Sequence, residues 1–315
     1  MSRTLGIDIG GTNTAFAVVD ESNEFTYSNS IKTKDFKDLQ GLLSEVKSIL
    51  EKNRQQYDKV GIGAPSVNQV TKQIEHAPNL DWDEIVPIKE MADEIFDLDV
   101  VVINDANAAA VAERYAGDAK ELENFAVITL GTGIGCGLYI DGQLSFGDNG
   151  LAGELGQLII HRDGRENKNG IHGCLETYVG SKGIIATAKE KLEFSSVGSL
   201  LQNLPPSEIS PVEIFKFARK EDPVALEVAD SVAEDLGYGI SHLVNLLNIN
   251  TIFLTGGIAK SGNILRRKTE KVLKYYVHPG AKENLQIKIS QLVETNSGVL
   301  GAALTASVYE DSVWA

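Results

Sequence analysis

The stretch LGIDIGGTNTAFAVV, Leu5–Val19, ends an apolar strand in an aspartate and two glycines and then runs directly into a second strand. The familiar Gly-rich nucleotide loops lead from strand into helix, so that a helix N-terminus faces the phosphates. Here Thr14, Phe16 and Val18 alternate with Ala15, Ala17 and Val19, and this period of two predicts a hairpin instead. Strands are expected over Thr4–Ile9, Thr14–Asp20 and Glu24–Ile31. Gly10 and Gly11 let backbone amides approach an anion, Thr12 and Asn13 add side-chain donors, and Asp8 projects a carboxylate toward the same point. A carboxylate beside a phosphate calls for a cation, and Mg²⁺ bound through the nucleotide is the natural one. Taken alone, the same glycines would also serve a plain tight turn.

Outward from this hairpin the design recurs. A helix is predicted over Leu39–Asn53, then a strand in KVGIGAP, then one or two helical turns and a helix over Asp81–Phe96. The buried strand LDVVVIND ends at Asn104 and Asp105 and is followed at once by a helix in ANAAAVAERYA. A polar, Gly-containing break over 117–124 marks a domain boundary. Beyond it FAVITLGTGIGCGLYIDGQL, Phe125–Leu144, repeats strand, glycine loop with Thr132 and Gly133, second strand and an Asp-Gly turn signal. This reads as an internal duplication: two related α/β domains, each opening on a phosphate-sized loop, facing each other across a cleft. The small domain is expected over residues 1–116, completed by a C-terminal helix at about 298–315, and the large domain over 117–297. Helices are expected over Glu176–Glu190 and Pro223–Leu247, with a surface loop between them. The strand NTIFLTGGI then runs into Gly256 and Gly257, a helix follows to Val277, and a strand covers Gln286–Ser290. The small residues of SGVLGAALTASVYED predict close packing of the last helix onto the first domain.

The 315 residues are 43% hydrophobic and 23% charged, the balance of a globular enzyme, and fit two domains. A net charge of -15 disfavours attraction to nucleic acid or anionic membranes. No signal-peptide pattern and no apolar run of membrane-spanning length is visible, so a cytoplasmic location is expected. Cys136 and Cys174 lie in unrelated contexts and read as free thiols.

Six motifs in order, DIGGTNT, INDANAAA, LGTGIG, AGELG, GCLE and LTGGI, resemble the ROK family of sugar kinases within the actin, Hsp70 and hexokinase superfamily, over nearly the whole chain. The resemblance implies two ribonuclease H-like, actin-like ATPase domains and an ATP-dependent hexose kinase of the bacterial glucokinase type. It implies Asp105 as the general base that accepts the sugar hydroxyl proton. An Asn-Asp pair ahead of a helix would also serve as its N-cap. Asn104, Glu154, Gln157 and Glu176 match positions that bind sugar hydroxyls, and Asn79 matches a residue near the sugar pocket, although a turn asparagine suits that position as well. Glu176 would equally serve as a first-turn helix acid. Gly256 and Gly257 match the loop against the adenosine, and the resemblance implies a homodimer.

The sequence departs from the family where its members commonly carry a zinc site, formed by a histidine after GE-x-G and three cysteines in C-x-C-G-x-x-G-C-x-E. Gln157 stands at the histidine, Asn167 and Asn169 at the first two cysteines, and only Cys174 remains. One thiol and three amides do not make a tetrahedral zinc site. His161 and His172 lie nearby without a recognisable zinc spacing, so no structural zinc is expected. Asx-turns and backbone hydrogen bonds at the asparagines and Gly170 are expected to hold the loop. Ser66, in GAPSV, stands where the family usually has a second glycine. Gln157 cannot carry a positive charge, which leaves mannose, fructose and the N-acetylated amino sugars open beside glucose. The competing readings are a sugar-sensing regulator, disfavoured by the acidic balance and the absence of a DNA-binding extension, and a partner-driven ATPase, which has no use for a polyol pocket.

Overall fold

The computed structural model describes residues 3–77 and 79–308. The strands in chain order are β1 (Thr4–Ile9), β2 (Asn13–Val19), β3 (Phe25–Lys32), β4 (Lys59–Ala64), the short β5 (Val67–Asn68), β6 (Gln73–Glu75) and β7 (Ile85–Val86), β8 (Val100–Asn104), β9 (Phe125–Leu130), β10 (Ile134–Ile140), β11 (Gln143–Leu144), β12 (Thr251–Thr255) and β13 (Gln286–Ile289). The α-helices are α1 (Leu39–Lys52), α2 (Ile88–Phe96), α3 (Asp105–Tyr115), α4 (Glu176–Val179), α5 (Ser181–Phe194), α6 (Pro211–Ala218), α7 (Pro223–Leu247), α8 (Asn263–Tyr276) and α9 (Ser297–Val308).

The predicted two-part α/β architecture is present. Two five-stranded sheets have the orders β3-β2-β1-β4-β8 and β11-β10-β9-β12-β13, the same pattern twice, as an internal duplication requires. In the first, the antiparallel hairpin β1–β2 leads into β4 and β8, which run parallel to β1; in the second, β12 runs parallel to both β9 and β13. The chain divides into unit 1, Met1–Glu123 with Gly137–Gly153 and Glu294–Ala315, and unit 2, Asn124–Cys136 with Glu154–Val293. The sequence boundary near 117–124 coincides with one edge of this division, but residues 137–153, expected in the large domain, group with unit 1. Among the described residues no helix is long and apolar enough to cross a membrane.

In unit 1 the sheet register sets the site. β1 is antiparallel to β2, with Asp8 opposite Ala15, and parallel to β4, with Asp8 beside Gly63. β4 in turn is parallel to β8, with Gly63 beside Ile103 and Ala64 beside Asn104. Asp8 and the β8 terminus therefore lie at the same carboxyl edge, about 10 Å apart at the backbone because one strand intervenes. Leu5, Ile7 and Ile9 are wholly buried, as are Leu42, Leu43, Val46 and Leu50 of α1, whose helical spacing made that helix legible. Asp38 starts α1 by accepting from the Gly41 N–H at 2.8 Å.

The helix α9 closes the unit as its small residues predicted, packing on β1, β4 and α3. The approach is so close that a Cβ on Gly61 would sit 1.9 Å from the Ala302 carbonyl oxygen, and one on Gly301 1.7 Å from that of Ala108. The predicted extension of this helix over 309–315 lies outside the described residues.

Three local expectations are corrected. No helical turns precede α2: Ile85–Val86 forms strand β7, pairing with β6. The helix expected over Glu176–Glu190 is two helices, because the Ser181 N–H and hydroxyl both reach the Gly131 carbonyl, at 3.0 and 2.8 Å, and draw the chain away at Gly180. The segment after the surface loop carries α6, whose Ser210 cap and Pro211 are helix-start signals not read in the sequence.

The Gly61 contact is directly testable. Gly61→Ala is expected to destabilise the protein by about 3 kcal/mol, since the Ala302 backbone must move to admit the methyl group. Gly198→Ala, where a Cβ meets nothing within 4 Å, is expected to change stability by less than about 0.5 kcal/mol. Denaturant unfolding of the two variants checks this, and equal midpoints would contradict the packing described.

Candidate functional site

The first glycine loop joins β1 to β2. The Gly10 N–H donates to the Asn13 carbonyl at 3.0 Å, and Thr33 clamps the loop from behind, its hydroxyl 2.7 Å from the Gly10 carbonyl and its N–H 3.0 Å from that of Thr12. The Thr33 hydroxyl also lies 2.9 Å from that of the buried Thr14. Thr12 and Asn13 are left exposed at the tip. Asn79 lies against this loop: a Cβ on Gly11 would fall 2.7 Å from the Asn79 carbonyl oxygen.

Asp8 sits behind the loop, where burial and then the charge of Asp105 push its carboxyl up to about 7, against a hydrogen bond from Asn296. Asn296 does double duty, because its Oδ1 also accepts the Val299 N–H at 3.1 Å and caps α9. Gly298 leaves room for the carboxylate, since a Cβ there would be 2.6 Å from it. Asn296, Gly298 and Thr33 were not read as site residues, although Asn296 ahead of a small-residue helix carries a recognisable capping signal.

At the end of β8 the Asn-Asp pair divides its work. Asn104, not Asp105, is the N-cap: its Oδ1 accepts from the N–H groups of Ala106 and Asn107 at 2.9 and 3.3 Å. Asp105 is the first helical residue, with one carboxylate oxygen accepting the Ala106 N–H at 2.8 Å. Burial pushes its carboxyl above the usual range, while the Ala106 N–H and the Asn104 side chain hold it down. A carboxyl placed at a helix start yet relieved of capping, with its pKa raised, is suited to receive a proton.

The Asp8 carboxyl, raised by burial and by the charge of Asp105, fits a magnesium ion in its usual mode, in which one or two carboxylates bind and water and phosphate fill the other positions. Among the described residues no group of three or more His, Cys, Asp or Glu forms an all-protein metal cage.

Unit 2 carries the second loop. The Gly131 N–H donates to the Gly133 carbonyl at 3.1 Å, and the Gly135 N–H to the Thr129 hydroxyl at 3.1 Å. Thr132 is exposed at the tip. Glu176 supports the loop, accepting the Ile134 N–H at 3.1 Å, and a Cβ on Gly133 would collide with its carboxylate at 2.4 Å. The following Gly256–Gly257 turn lies beside the loop, the Ile258 N–H donating to the Leu130 carbonyl at 3.0 Å, with Gly256 at φ 89°. Glu154 is exposed, and its charge, after burial, helps push the neighbouring Cys136 thiol up to about 12. Gln157 is half-buried and bound through its Oε1 to Asn167 Nδ2 at 2.9 Å. Among the sequence-predicted residues, Asp8, Gly10–Asn13, Asn79, Asn104 and Asp105 thus fall in unit 1, and Thr132, Gly133, Glu154, Gln157, Glu176, Gly256 and Gly257 in unit 2.

The profile of the ROK family matches residues 4–308, almost the whole described chain. The chain belongs to the ROK family. A glucokinase of Halalkalibacterium halodurans is 30% identical over 319 residues, covering 98% of this chain and 96% of the relative. Among solved structures, a ROK family glucokinase from Streptomyces griseus in complex with glucose and AMPPNP superposes with a TM-score of 0.85 at 29% identity, covering 97% of this chain and 99% of that one. A xylose repressor of Caldicellulosiruptor bescii is 25% identical over 91% of this chain and 74% of its own. Ser66 sits at φ 55°, the left-handed region that glycine enters freely.

The raised Asp8 pKa has a consequence for this ROK protein without ligand. Between the ordinary 3.8 and about 7 the folded state holds a proton that the unfolded state has released, so stability falls as pH rises through that window. Asp8→Asn keeps an acceptor for Asn296 and removes the charge. It is expected to raise the Tm at pH 8 by about 2 °C or more beyond its effect at pH 5, where only part of the loss has occurred. Thermal scans in the presence of a chelator check this, and an identical change at both pH values would refute it.

Proposed function

We propose that this ROK protein is an ATP-dependent hexose kinase that transfers the γ-phosphoryl group of ATP to the 6-hydroxyl of a hexose, glucose first among the candidates. The observation that carries the reading is the division at the end of β8, where Asn104 takes the capping role and Asp105 is left with a raised pKa. The glucokinase relative and the glucose-bound neighbour support the choice of acceptor.

In this reading Asp105 receives the hydroxyl proton as the sugar oxygen attacks phosphorus. Asn79, Asn104, Glu154, Gln157 and Glu176 bind and orient sugar hydroxyls, carboxylates accepting and amides donating. Asn104 then contributes chiefly through Asp105, because its oxygen is already committed to the helix start. Gly10–Asn13 and Thr132–Gly133 offer backbone and hydroxyl donors to phosphates, and Gly256–Gly257 receives the adenosine. Asp8, with Asp105 nearby, would hold Mg²⁺ through the nucleotide. When bound, the ion supplies charge neutralisation for the transferring phosphoryl group. The active species is taken to be a cytoplasmic homodimer.

A second reading, a sugar-sensing regulator, is supported by the similarity to the xylose repressor. The two separate in one assay: ADP release from MgATP with glucose, mannose, fructose, N-acetylglucosamine and N-acetylmannosamine. Glucose is expected to give the highest kcat/KM, and Asp105→Asn to lower kcat by about 10²–10⁴-fold while sugar binding persists. Sugar binding by the wild type without ADP release would favour the regulator.

A further inference from the structure

Where the family commonly places zinc, this chain has a hydrogen-bonded hub centred on one amide. The Asn167 Oδ1 accepts two backbone N–H groups, from Asn169 and Ile171, both at 2.9 Å. Two N–H donors facing one atom fix it as oxygen, so the other end of the side chain is the NH₂ group. That group has two hydrogens and two partners, the Gln157 Oε1 at 2.9 Å and the sulfur of the wholly buried Cys174. All four hydrogen-bonding positions of the Asn167 side chain are thereby used, and they tie together the positions of the family's histidine and its first, second and third cysteines.

The assignment propagates. Because Asn167 presents a donor to Gln157, the Gln157 atom facing it is an acceptor, and its Nε2 is left as the free end, a pure donor. The loop does not depend on this contact for its anchorage. Arg165 binds the carbonyls of Thr177 and Gly183 and the hydroxyl of Thr187 at 3.0–3.2 Å, and His161 pairs with Asp235 of α7 at 2.8 Å.

We propose that Asn167 is a positioning residue for sugar specificity: it takes over the cross-linking of a structural metal and locks the Gln157 amide so that Nε2 donates to an oxygen of the sugar. This rests on the kinase reading for the identity of the ligand. The donor polarity of Gln157 follows from Asn167 alone.

The deciding variant is Asn167→Asp. Its carboxylate still accepts from Asn169 and Ile171 but offers Gln157 an acceptor, so the Gln157 amide must turn over and present Oε1 to the sugar. In the sugar-free protein, the ¹⁵N-labelled side-chain amide signals of Gln157 are expected to shift while the rest of the spectrum holds. Unmoved signals would overturn the inference whether or not the protein is a kinase. In turnover, the variant is expected to raise the sugar KM about tenfold, with kcat and the ATP KM within about twofold, and to add nothing further to Gln157→Ala. An additive effect, or an equal loss in the ATP parameters, marks a general loop defect and overturns the specificity role. Wild-type protein that turns over none of the sugars removes the kinase reading instead, and the amide signals still decide the orientation.

Discussion

The contact on which unit 1 depends is the backbone-to-backbone approach of α9 onto β1, β4 and α3. No side chain larger than hydrogen fits at Gly61 or Gly301, so the helix axis lies closer to the sheet than an ordinary apolar layer allows. The energetic content is dispersion between many backbone atoms, each contact small and the sum large. The chemical content follows at the helix start. The same approach delivers Asn296 and Gly298 to the Asp8 carboxylate, so a segment nearly three hundred residues away in sequence completes the environment of the first loop.

The duplicated sheets explain why the candidate residues gather where they do. In the first, β1 runs into a glycine loop just after Asp8 and β8, on the far side of β4, ends at Asn104; in the second, β9 ends beside Gly131 and its parallel neighbour β12 runs into Gly256. Ligand sites of open α/β sheets lie at the carboxyl ends of strands because loops there are free to vary while the strands hold them in register. The hairpin form of the loop also answers why no helix follows Gly11. The returning strand β2 and Thr33 fix the loop from behind and leave its tip to meet a ligand.

Much of this was legible in the chain. The period-two run after Thr12, the repeat at Phe125–Leu144 and the small residues of the last helix each carry their structural meaning locally, and each is met in the fold. What was not legible depends on contacts distant in sequence. The break between α4 and α5 comes from Gly131, fifty residues earlier, and no propensity at Gly180 requires it. The return of residues 137–153 to unit 1 comes from packing after the strand has crossed the boundary. The asparagines of the 167–174 loop were expected to form local turns, and they do. That one of them would also reach back to Gln157 required the loop to be folded.

The separation of duties between Asn104 and Asp105 also shapes how such a protein can change. A residue that both starts a helix and performs chemistry cannot be lost without disturbing the fold, whereas here the cap survives any substitution at the neighbour that keeps the helix. The carboxyl can therefore disappear at little structural cost, leaving the helix start and the glycine loops in place. From such a scaffold, a protein that merely detects its ligand lies one codon from one that transforms it.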